Sequence, residues 1–284
     1  MDQDFRLFKY FPPARTDVLR TGKICFSSPL NLNDPFELKP PMQLFESDRE
    51  MAEAVLEKLY FELVKNPPEL PAELEGKLTQ DEYIERMKQV IQQKLPDLMV
   101  RLTPGIEVGY SRFYSVAEER MGMLCLTESP DDLLMWAHYA AAHTGFVIEF
   151  DPSHAFFNQR RSEADELRYL RRVVYSPERP MLTLITAKDL SALLTKSNDW
   201  EYEKEWRMMV DLKDSSEIKM VGGSQYHLFD FPRASIKSVI LGCRVSEETK
   251  LEIQLALREF DGSQPELFQC EVDKRLFKLN QIRI

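Results

Sequence analysis

The stretch SPDDLLMWAHYAAAHTGFVIEFD, residues 129–151, decides the predicted fold because it joins a helix to a strand. Ser129 is a typical N-cap residue, Pro130 suits the first helical position, and two aspartates follow at the positive end of the helix. Gly145 is typical of a helix C-terminus, and the apolar run FVIEF after it predicts a strand. We therefore predict a helix over 129–143 that is followed at once by a strand.

Outward from this stretch, the helical segments come in blocks rather than in strict alternation with strands. Residues 46–120 carry apolar side chains at helical spacing in a dense charged background, with a Pro-rich connection between two such runs. We interpret 46–120 as a mostly helical insertion within a single domain, 1–284. Strand-like segments lie before and after it, which favours an α+β fold with a mixed or antiparallel sheet.

The composition indicates a soluble cytoplasmic protein. The 284 residues include 30% charged residues, the net charge is −10, and no apolar run reaches the roughly 18 residues of a membrane span. The N-terminus carries acids and no long apolar region, so we expect no signal peptide. The cysteines lie far apart without CxxC pairing, which is typical of reduced thiols. The net charge argues against a broad nucleic-acid surface but allows a local basic cleft.

The common catalytic and metal motifs are absent from the sequence. His138 and His143 are five residues apart and do not share a helix face, so we expect no metal site. No Gly-rich nucleotide-binding loop is present. Cys125 lies in an apolar strand without a neighbouring histidine, and we interpret it as an inert buried thiol.

The helix 129–143 carries aromatic and imidazole groups on one stripe. Trp136, Tyr139 and His143 fall at i, i+3 and i+7, whereas His138 points elsewhere. The stripe is either a face that packs on the core or a wall that stacks on an aromatic ligand. Spacing alone leaves both interpretations open.

A second polar patch lies in NDWEYEKEWRMMV, residues 198–210. If its second half is a strand, Glu203, Glu205 and Arg207 share one face, and the alternating Trp-x-Met-x-Val packs on the core. If it is a helix, Glu203 and Arg207 form an ordinary surface pair. We favour the strand and expect Glu203 to pair with Arg207. Two like charges on one face tend to raise the pKa of one carboxyl group, which suits catalysis.

A third polar patch, NLNDPFELKP at residues 31–40, follows the strand KICF. Asn-Asp-Pro is turn chemistry, but a turn alone does not require Asn33, Asp34 and Glu37 together. These groups either hold a ribose beside the same cleft or hold the turn that shapes it.

Four motifs together carry a family resemblance that runs from about residue 5 to about residue 245. They are LFKY, GKICFSSP with NDPFE, WAHYA with HTGFVIEFD, and WEYEKEWR. This combination resembles a large bacterial family of unknown function. More distantly, the order of its elements resembles the ADP-ribosyltransferase fold, especially the toxin branch that modifies DNA and the RNA 2′-phosphotransferases.

The distant resemblance implies NAD as the substrate and assigns roles to residues. In that fold a first-strand residue holds NAD, an aromatic residue stacks on the nicotinamide, and a late-strand glutamate stabilises the oxocarbenium-like transition state. The expected catalytic residues are Glu205, Glu203 and Tyr139. The expected NAD-binding residues are Lys9, Tyr10, Asn33, Asp34, Trp136, His138 and Arg207. Two features depart from the pattern: the first-strand His or Arg is here a lysine, and the aromatic lies on a predicted helix.

Three functions remain open. The first is an NAD-cleaving, ADP-ribosyltransferase-like enzyme that acts on a nucleic-acid or protein acceptor, or hydrolyses NAD, without a membrane partner. It requires Lys9, Tyr139 and Glu205 around one cleft. The second is a metal-dependent nuclease, and the third is a non-catalytic regulatory or binding module. Proteins with similar folds often belong to defence or toxin systems, and the resemblance therefore suggests such a role here.

Overall fold

The computed structural model describes residues 5–41, 48–181, 190–262 and 264–284. By its internal contacts the chain divides into two compact units. The first comprises Met1–Lys39, Val116–Arg179 and Leu193–Ile284, and the second comprises Pro40–Ser115 and Pro180–Ala192.

Strands and helices interleave along the chain. In order they are β1 (Leu7–Phe11), α1 (Asp17–Thr21), β2 (Lys23–Phe26), α2 (Asp48–Lys65), α3 (Gln80–Arg120), β3 (Met121–Thr127), α4 (Leu133–Tyr139), β4 (Phe146–Phe150), β5 (Arg171–Arg172), β6 (Val174–Ser176), β7 (Thr195–Ser197), β8 (Glu205–Asp211), β9 (Glu217–Val221), β10 (Ser224–Asp230), β11 (Ile236–Leu241), α5 (Glu247–Arg258), β12 (Glu266–Val272) and β13 (Leu279–Arg283).

A large mixed sheet forms the core of the first unit. Within the described ranges it has eight strands in the order β13-β12-β11-β4-β1-β3-β8-β5. Its neighbours are antiparallel except β11 and β12, which are parallel. Smaller sheets contain β2-β10-β9 and β6-β7. The predicted α+β class with a mixed sheet is confirmed.

Apolar side chains cover both faces of this sheet. All five residues of β4 are buried, as expected of a central strand. One face packs against α1 and α5 in the larger apolar cluster. The other face packs against α4, where Trp136 is completely buried beside Phe8 and Tyr10. Burial at about 25 cal/mol per Å² of apolar surface holds these layers together.

The sheet opens between the neighbouring strands β1 and β3. β1 pairs with β4 over five residues, and β3 pairs with β8 over seven. In the part of the chain that the structure describes, β1 and β3 pair only through Phe8 and Thr127. Beyond that point Ser27 takes the place beside β3 and exchanges backbone hydrogen bonds with Met123 at 2.8 and 2.9 Å. The result is a seam between β1 and β3, with residues 31–37 nearby.

The predicted N-terminus of the helix 129–143 is wrong. α4 begins at Leu133, and Asp132 is its N-cap, because its carboxylate accepts the N–H groups of Leu134 and Met135, both at 2.9 Å. Aspartate and serine are about equally good caps, and a negative charge is favourable at the positive helix end. Ser129 instead donates its N–H to the Thr127 hydroxyl at 2.9 Å.

The predicted end of this helix is also wrong. α4 ends at Tyr139, and Ala141, Ala142 and His143 have positive φ angles of 47°, 54° and 70°. Such angles cost on the order of 1–2 kcal/mol each for residues with a Cβ. His143 stacks on Trp136 at 6.1 Å between ring centroids, which helps to hold this left-handed turn.

The described part of the predicted insertion 46–120 is mainly helical. It contains α2 and α3, joined by a connection with one 3-10 turn at Ala72–Leu74. Residues 46 and 47 lie outside the described residues. Its assignment as an insertion within one domain stays a prediction. No described helix is long and apolar enough to cross a membrane.

Candidate active site

A cavity of about 440 Å³ lies in the first unit at the seam between β1 and β3. β1 and β3, the loop after β2 and the end of α4 line it, together with residues 196–205. The volume lies within the roughly 300–1,000 Å³ range of small-molecule sites. The seam therefore provides a binding space in the middle of the sheet.

Seven of the ten site residues expected from the sequence line this cavity. They are Lys9, Tyr10, Asn33, His138, Tyr139, Glu203 and Glu205. The expected convergence of the first strand, the helix aromatic and the late acids on one cleft is confirmed. The roles of these side chains stay predictions.

The other three expected residues are buried and do not line the cavity. Asp34 is buried and its carboxylate accepts the Phe36 N–H at 2.9 Å, so it holds the turn. The Trp136 indole is buried in the core and donates to the Pro130 carbonyl at 3.0 Å. Arg207 has no exposed surface and lies beneath the carboxylates.

Arg207 organises one half of the cavity base, which we call the arginine half (Arg207, Glu205 and Glu37). Its guanidinium donates to both oxygens of Glu205, at 2.7 and 2.8 Å, and also to Glu37. The expected Glu203–Arg207 pair is therefore wrong, because Glu205 lies two residues away on the same strand face. Burial lowers the pKa of Arg207, but two carboxylate partners keep the guanidinium charged at neutral pH.

Lys196 organises the other half, which we call the lysine half (Lys196, Glu203 and Tyr139). The ammonium donates to Glu203 at 2.6 Å and to Glu205 at 3.3 Å. Burial opposes the charged form of Lys196, but Glu205 and Glu203 raise its pKa. Sequence reasoning missed this residue, since a lone lysine after an apolar run gives no motif.

The buried charges of the two halves do not balance. Glu37, Glu203 and Glu205 are three acids against the cations Lys196 and Arg207, which leaves one net negative charge if all are ionised. Burial raises the pKa of Glu205 to about 6; Lys196 opposes this rise and Glu203 adds to it. The base of the cavity is thus a buried site that favours positive charge.

Tyr139 connects the lysine half to the cavity wall. Its hydroxyl donates to Glu203 at 2.6 Å. Burial and the Glu203 charge raise the pKa of Tyr139, whereas an Asn33 hydrogen bond opposes the rise. The phenol therefore stays protonated and acts as a donor. His138 lies at the exposed rim, edge-on to the Tyr139 ring at 6.2 Å between centroids.

Lys9 bridges the seam between β1 and β3. Its ammonium crosses from β1 to the Cys125 carbonyl on β3 at 3.0 Å, where an ordinary ladder would place a backbone N–H. Tyr10 donates its hydroxyl to the Ser129 carbonyl at 2.7 Å and fixes the start of the α4 loop. Burial raises the pKa of the Cys125 thiol well above its ordinary value, as expected of an inert thiol.

Metal ligands are not arranged as a cluster in the described part of the chain. There, no group of three or more His, Cys, Asp and Glu side chains is placed to hold a metal ion. Glu37, Glu203 and Glu205 approach one another, but Lys196 and Arg207 occupy the space between them.

The comparisons with known proteins bear on this same region. Residues 135–208 match a family model. Its description is "Protein of unknown function (DUF2971)". The matched segment contains Tyr139, Lys196, Glu203, Glu205 and Arg207, and the match supports the resemblance to a family of unknown function. The search of curated proteins and the search of solved structures found no match.

Proposed function

We propose that the protein is an ADP-ribosyltransferase-like enzyme that cleaves the bond between nicotinamide and ribose in NAD. The observation that carries the proposal is the lysine half of the cavity. There the buried Glu203 carboxylate is held between Tyr139 at 2.6 Å and Lys196 at 2.6 Å, beside a cavity of ligand size.

A fixed carboxylate at this position suits glycosidic cleavage. As the bond from ribose C1′ to the nicotinamide nitrogen breaks, positive charge develops on the ribose, and nicotinamide leaves as a neutral molecule. A preorganised negative charge stabilises this transition state more than it stabilises the neutral sugar of the ground state. The acceptor or water then forms a bond to C1′ and loses a proton to solvent.

We assign the substrate-facing role to Glu203 rather than to Glu205. The two partners of Glu203, Tyr139 and Lys196, themselves line the cavity, so a ribose hydroxyl can replace one of them. Glu205 is held through both oxygens by Arg207, which does not line the cavity. Glu205 then acts on the reaction by positioning Lys196.

The remaining lining groups suit a nicotinamide nucleotide. Tyr139 offers an aromatic face, and His138 stands beside it at the rim. Asn33, which hydrogen-bonds Tyr139, offers an amide, and Lys9 offers an ammonium. Aromatic walls with a few placed polar groups are typical of sites for such ligands.

A ligand-binding module without catalysis is the second candidate. The observation that favours it is the pairing within the arginine half, in which all three residues are buried and Arg207 donates to both Glu205 and Glu37. Such a network specifies a structure without any need for turnover. A metal-dependent nuclease is less favoured, because Lys196 and Arg207 already pair with the carboxylates that Mg²⁺ would require as ligands.

The test is incubation of the purified protein with NAD, in which chromatography measures nicotinamide and calorimetry measures NAD affinity. We expect release by the wild-type protein, loss of release in Glu203→Gln, and normal release in Glu201→Gln. Glu201 is the matched control because it is exposed on the same short 3-10 helix. Binding without release would favour the module, and neither binding nor release would overturn the proposal.

A further inference from the structure

The loop between β12 and β13, residues 273–278, presents apolar side chains to solvent. Phe277 is 101% exposed and Leu276 is 60% exposed. Exposing a large apolar side chain forgoes about 1.5–3 kcal/mol of burial. Two adjacent ones at a loop tip are typical of a surface that contacts a partner.

Three cations surround these two apolar groups. Lys274, Arg275 and Lys278 are exposed, and none of them lies in an ion pair with any residue that the structure describes. The whole chain has a net charge of −10. These three cations outnumber the one ionised acid of the loop, Asp273, which interacts with Lys278, and a local excess of positive charge in an acidic protein indicates an anionic partner for this loop.

The loop is held in one conformation before any partner arrives. Asp273 accepts the N–H groups of Arg275 and Leu276, at 2.8 and 2.9 Å, and the side chain of Asn280 at 2.9 Å. These bonds lower the pKa of Asp273 to about 2, so they persist at neutral pH. A preorganised loop has little conformational entropy to lose on binding.

The loop lies at the same end of the sheet strands as the cavity, the end at which β1, β11 and β12 terminate. In the sheet register, the end of β1 at Phe11 is level with Phe146, Leu241 and Gln269 on successive strands. The loop starts four residues after Gln269. β12 is three strands from β1, roughly 14 Å across the sheet, and the four residues from Gln269 to Asp273 add roughly 13 Å along the strand. On this side α4 packs in one apolar cluster with Cys270 and Leu279.

We infer that the loop 273–278 binds single-stranded nucleic acid, and this inference does not rest on the proposed function. A fully exposed phenylalanine stacks on a base, and flanking cations contact phosphates.

A narrow strand fits this surface better than an anionic membrane does. Glu271 is exposed on β12, and Asp131 is exposed at the start of the α4 region, close enough to influence the Cys270 thiol. A flat anionic bilayer at the loop would meet these acids. A single strand can lie on the cation side alone.

The test is fluorescence anisotropy of labelled 12-nucleotide DNA and RNA strands with the full chain, without NAD, at 50 and 200 mM salt. Three phosphate contacts predict a roughly twentyfold loss of affinity between these salt concentrations. We expect Phe277→Ala and the double variant Lys274→Glu with Lys278→Glu each to lose roughly tenfold or more. The matched controls are Phe61→Ala and Lys77→Glu, which change exposed side chains elsewhere.

Equal affinity in the wild type and the loop variants would overturn the inference. A second result would also overturn it. If the wild type binds phosphatidylserine vesicles but not the strands, and Phe277→Ala loses the vesicle binding, the loop is a membrane contact. Nicotinamide release without an acceptor, measured in parallel, tests the proposed function separately. Melting curves of each variant check that it is folded. We expect unchanged curves because the substituted side chains are exposed.

Discussion

The two halves of the cavity base are built from the same kinds of charge but differ in access. In the arginine half, Arg207 is completely buried and holds both Glu205 oxygens. In the lysine half, Glu203 is equally buried, yet its partners Tyr139 and Lys196 reach the cavity. Glu37 and Glu205 also line the cavity, but their guanidinium partner does not, so a ligand can reach every member of the lysine half but only the carboxylates of the arginine half.

This difference separates stability from function. A buried pair whose geometry is complete is costly to break, because the remaining partner is left as an uncompensated charge. A carboxylate whose partners can exchange for ligand groups is available for chemistry. We therefore expect changes in the arginine half to affect folding and changes in the lysine half to affect turnover.

The largest effect is expected from Arg207→Met. The variant leaves Glu205 and Glu37 buried without the guanidinium that they share, with only Lys196 nearby, and breaking such a buried pair costs about 3–5 kcal/mol of unfolding free energy. Urea denaturation measures this loss. The control is Arg172→Met on the neighbouring strand, whose side chain is mostly exposed, and we expect a change within about 0.5 kcal/mol. Equal losses of unfolding free energy in the two variants would contradict the assignment of Arg207 as the buried partner that stabilises the arginine half.

The next effect is expected from Glu203→Gln. Loss of the charge should lower the rate of nicotinamide release by roughly a hundredfold, about 3 kcal/mol of barrier, and should leave unfolding free energy within about 1 kcal/mol. Single-turnover kinetics and denaturation on the same preparation measure the two quantities. A variant that unfolds but releases nicotinamide at the normal rate would reverse the comparison between the halves.

A smaller effect concerns pH and Glu205. Its pKa is raised from the ordinary 4.5 to about 6, first by burial, so the native protein binds a proton that the unfolded chain has released. Its contribution to stability is present below pH 4.5 and is lost as the pH rises through about 6. The expected loss is about 2 kcal/mol.

The measurement is urea denaturation of the wild type and Glu205→Gln between pH 4.5 and 7. The free-energy difference between the two proteins should fall across this interval, because the glutamine does not titrate. A constant difference would show that Glu205 titrates alike in the folded and unfolded states.

The smallest effect is expected from Tyr139→Phe. The change keeps the ring and removes the donor to Glu203, which should slow nicotinamide release by about tenfold, near 1.4 kcal/mol. NAD affinity should stay within about threefold if the ring supplies the stacking wall. A large loss of affinity with an unchanged rate would assign the hydroxyl to binding instead.

The fold was accessible from sequence where local patterns decide it. The alternating Trp-x-Met-x-Val predicted the strand that became β8, and the blocks of helix predicted an α+β class. Helix limits were not accessible, because two neighbouring groups, Ser129 and Asp132, are both good caps. The left-handed run 141–143 has no local signal, since alanine favours the right-handed helix.

The site was accessible only in part for a similar reason. Motifs showed which stretches carry chemistry, and the seam brought Asn33, Tyr139 and Glu205 together. The pairing within the base depends on a third segment, the lysine at 196, whose position only tertiary structure fixes. Without Lys196, spacing favoured a Glu203–Arg207 pair that the strand geometry does not form.

The most direct test of the central claim is a crystal structure of Glu203→Gln with NAD, a variant that should bind the dinucleotide without cleaving it. We expect the nicotinamide ring to stack against Tyr139 in the seam between β1 and β3. The adjoining ribose should lie within hydrogen-bond distance of residue 203. NAD bound elsewhere on the molecule, or a seam that stays empty at saturating NAD, would contradict it.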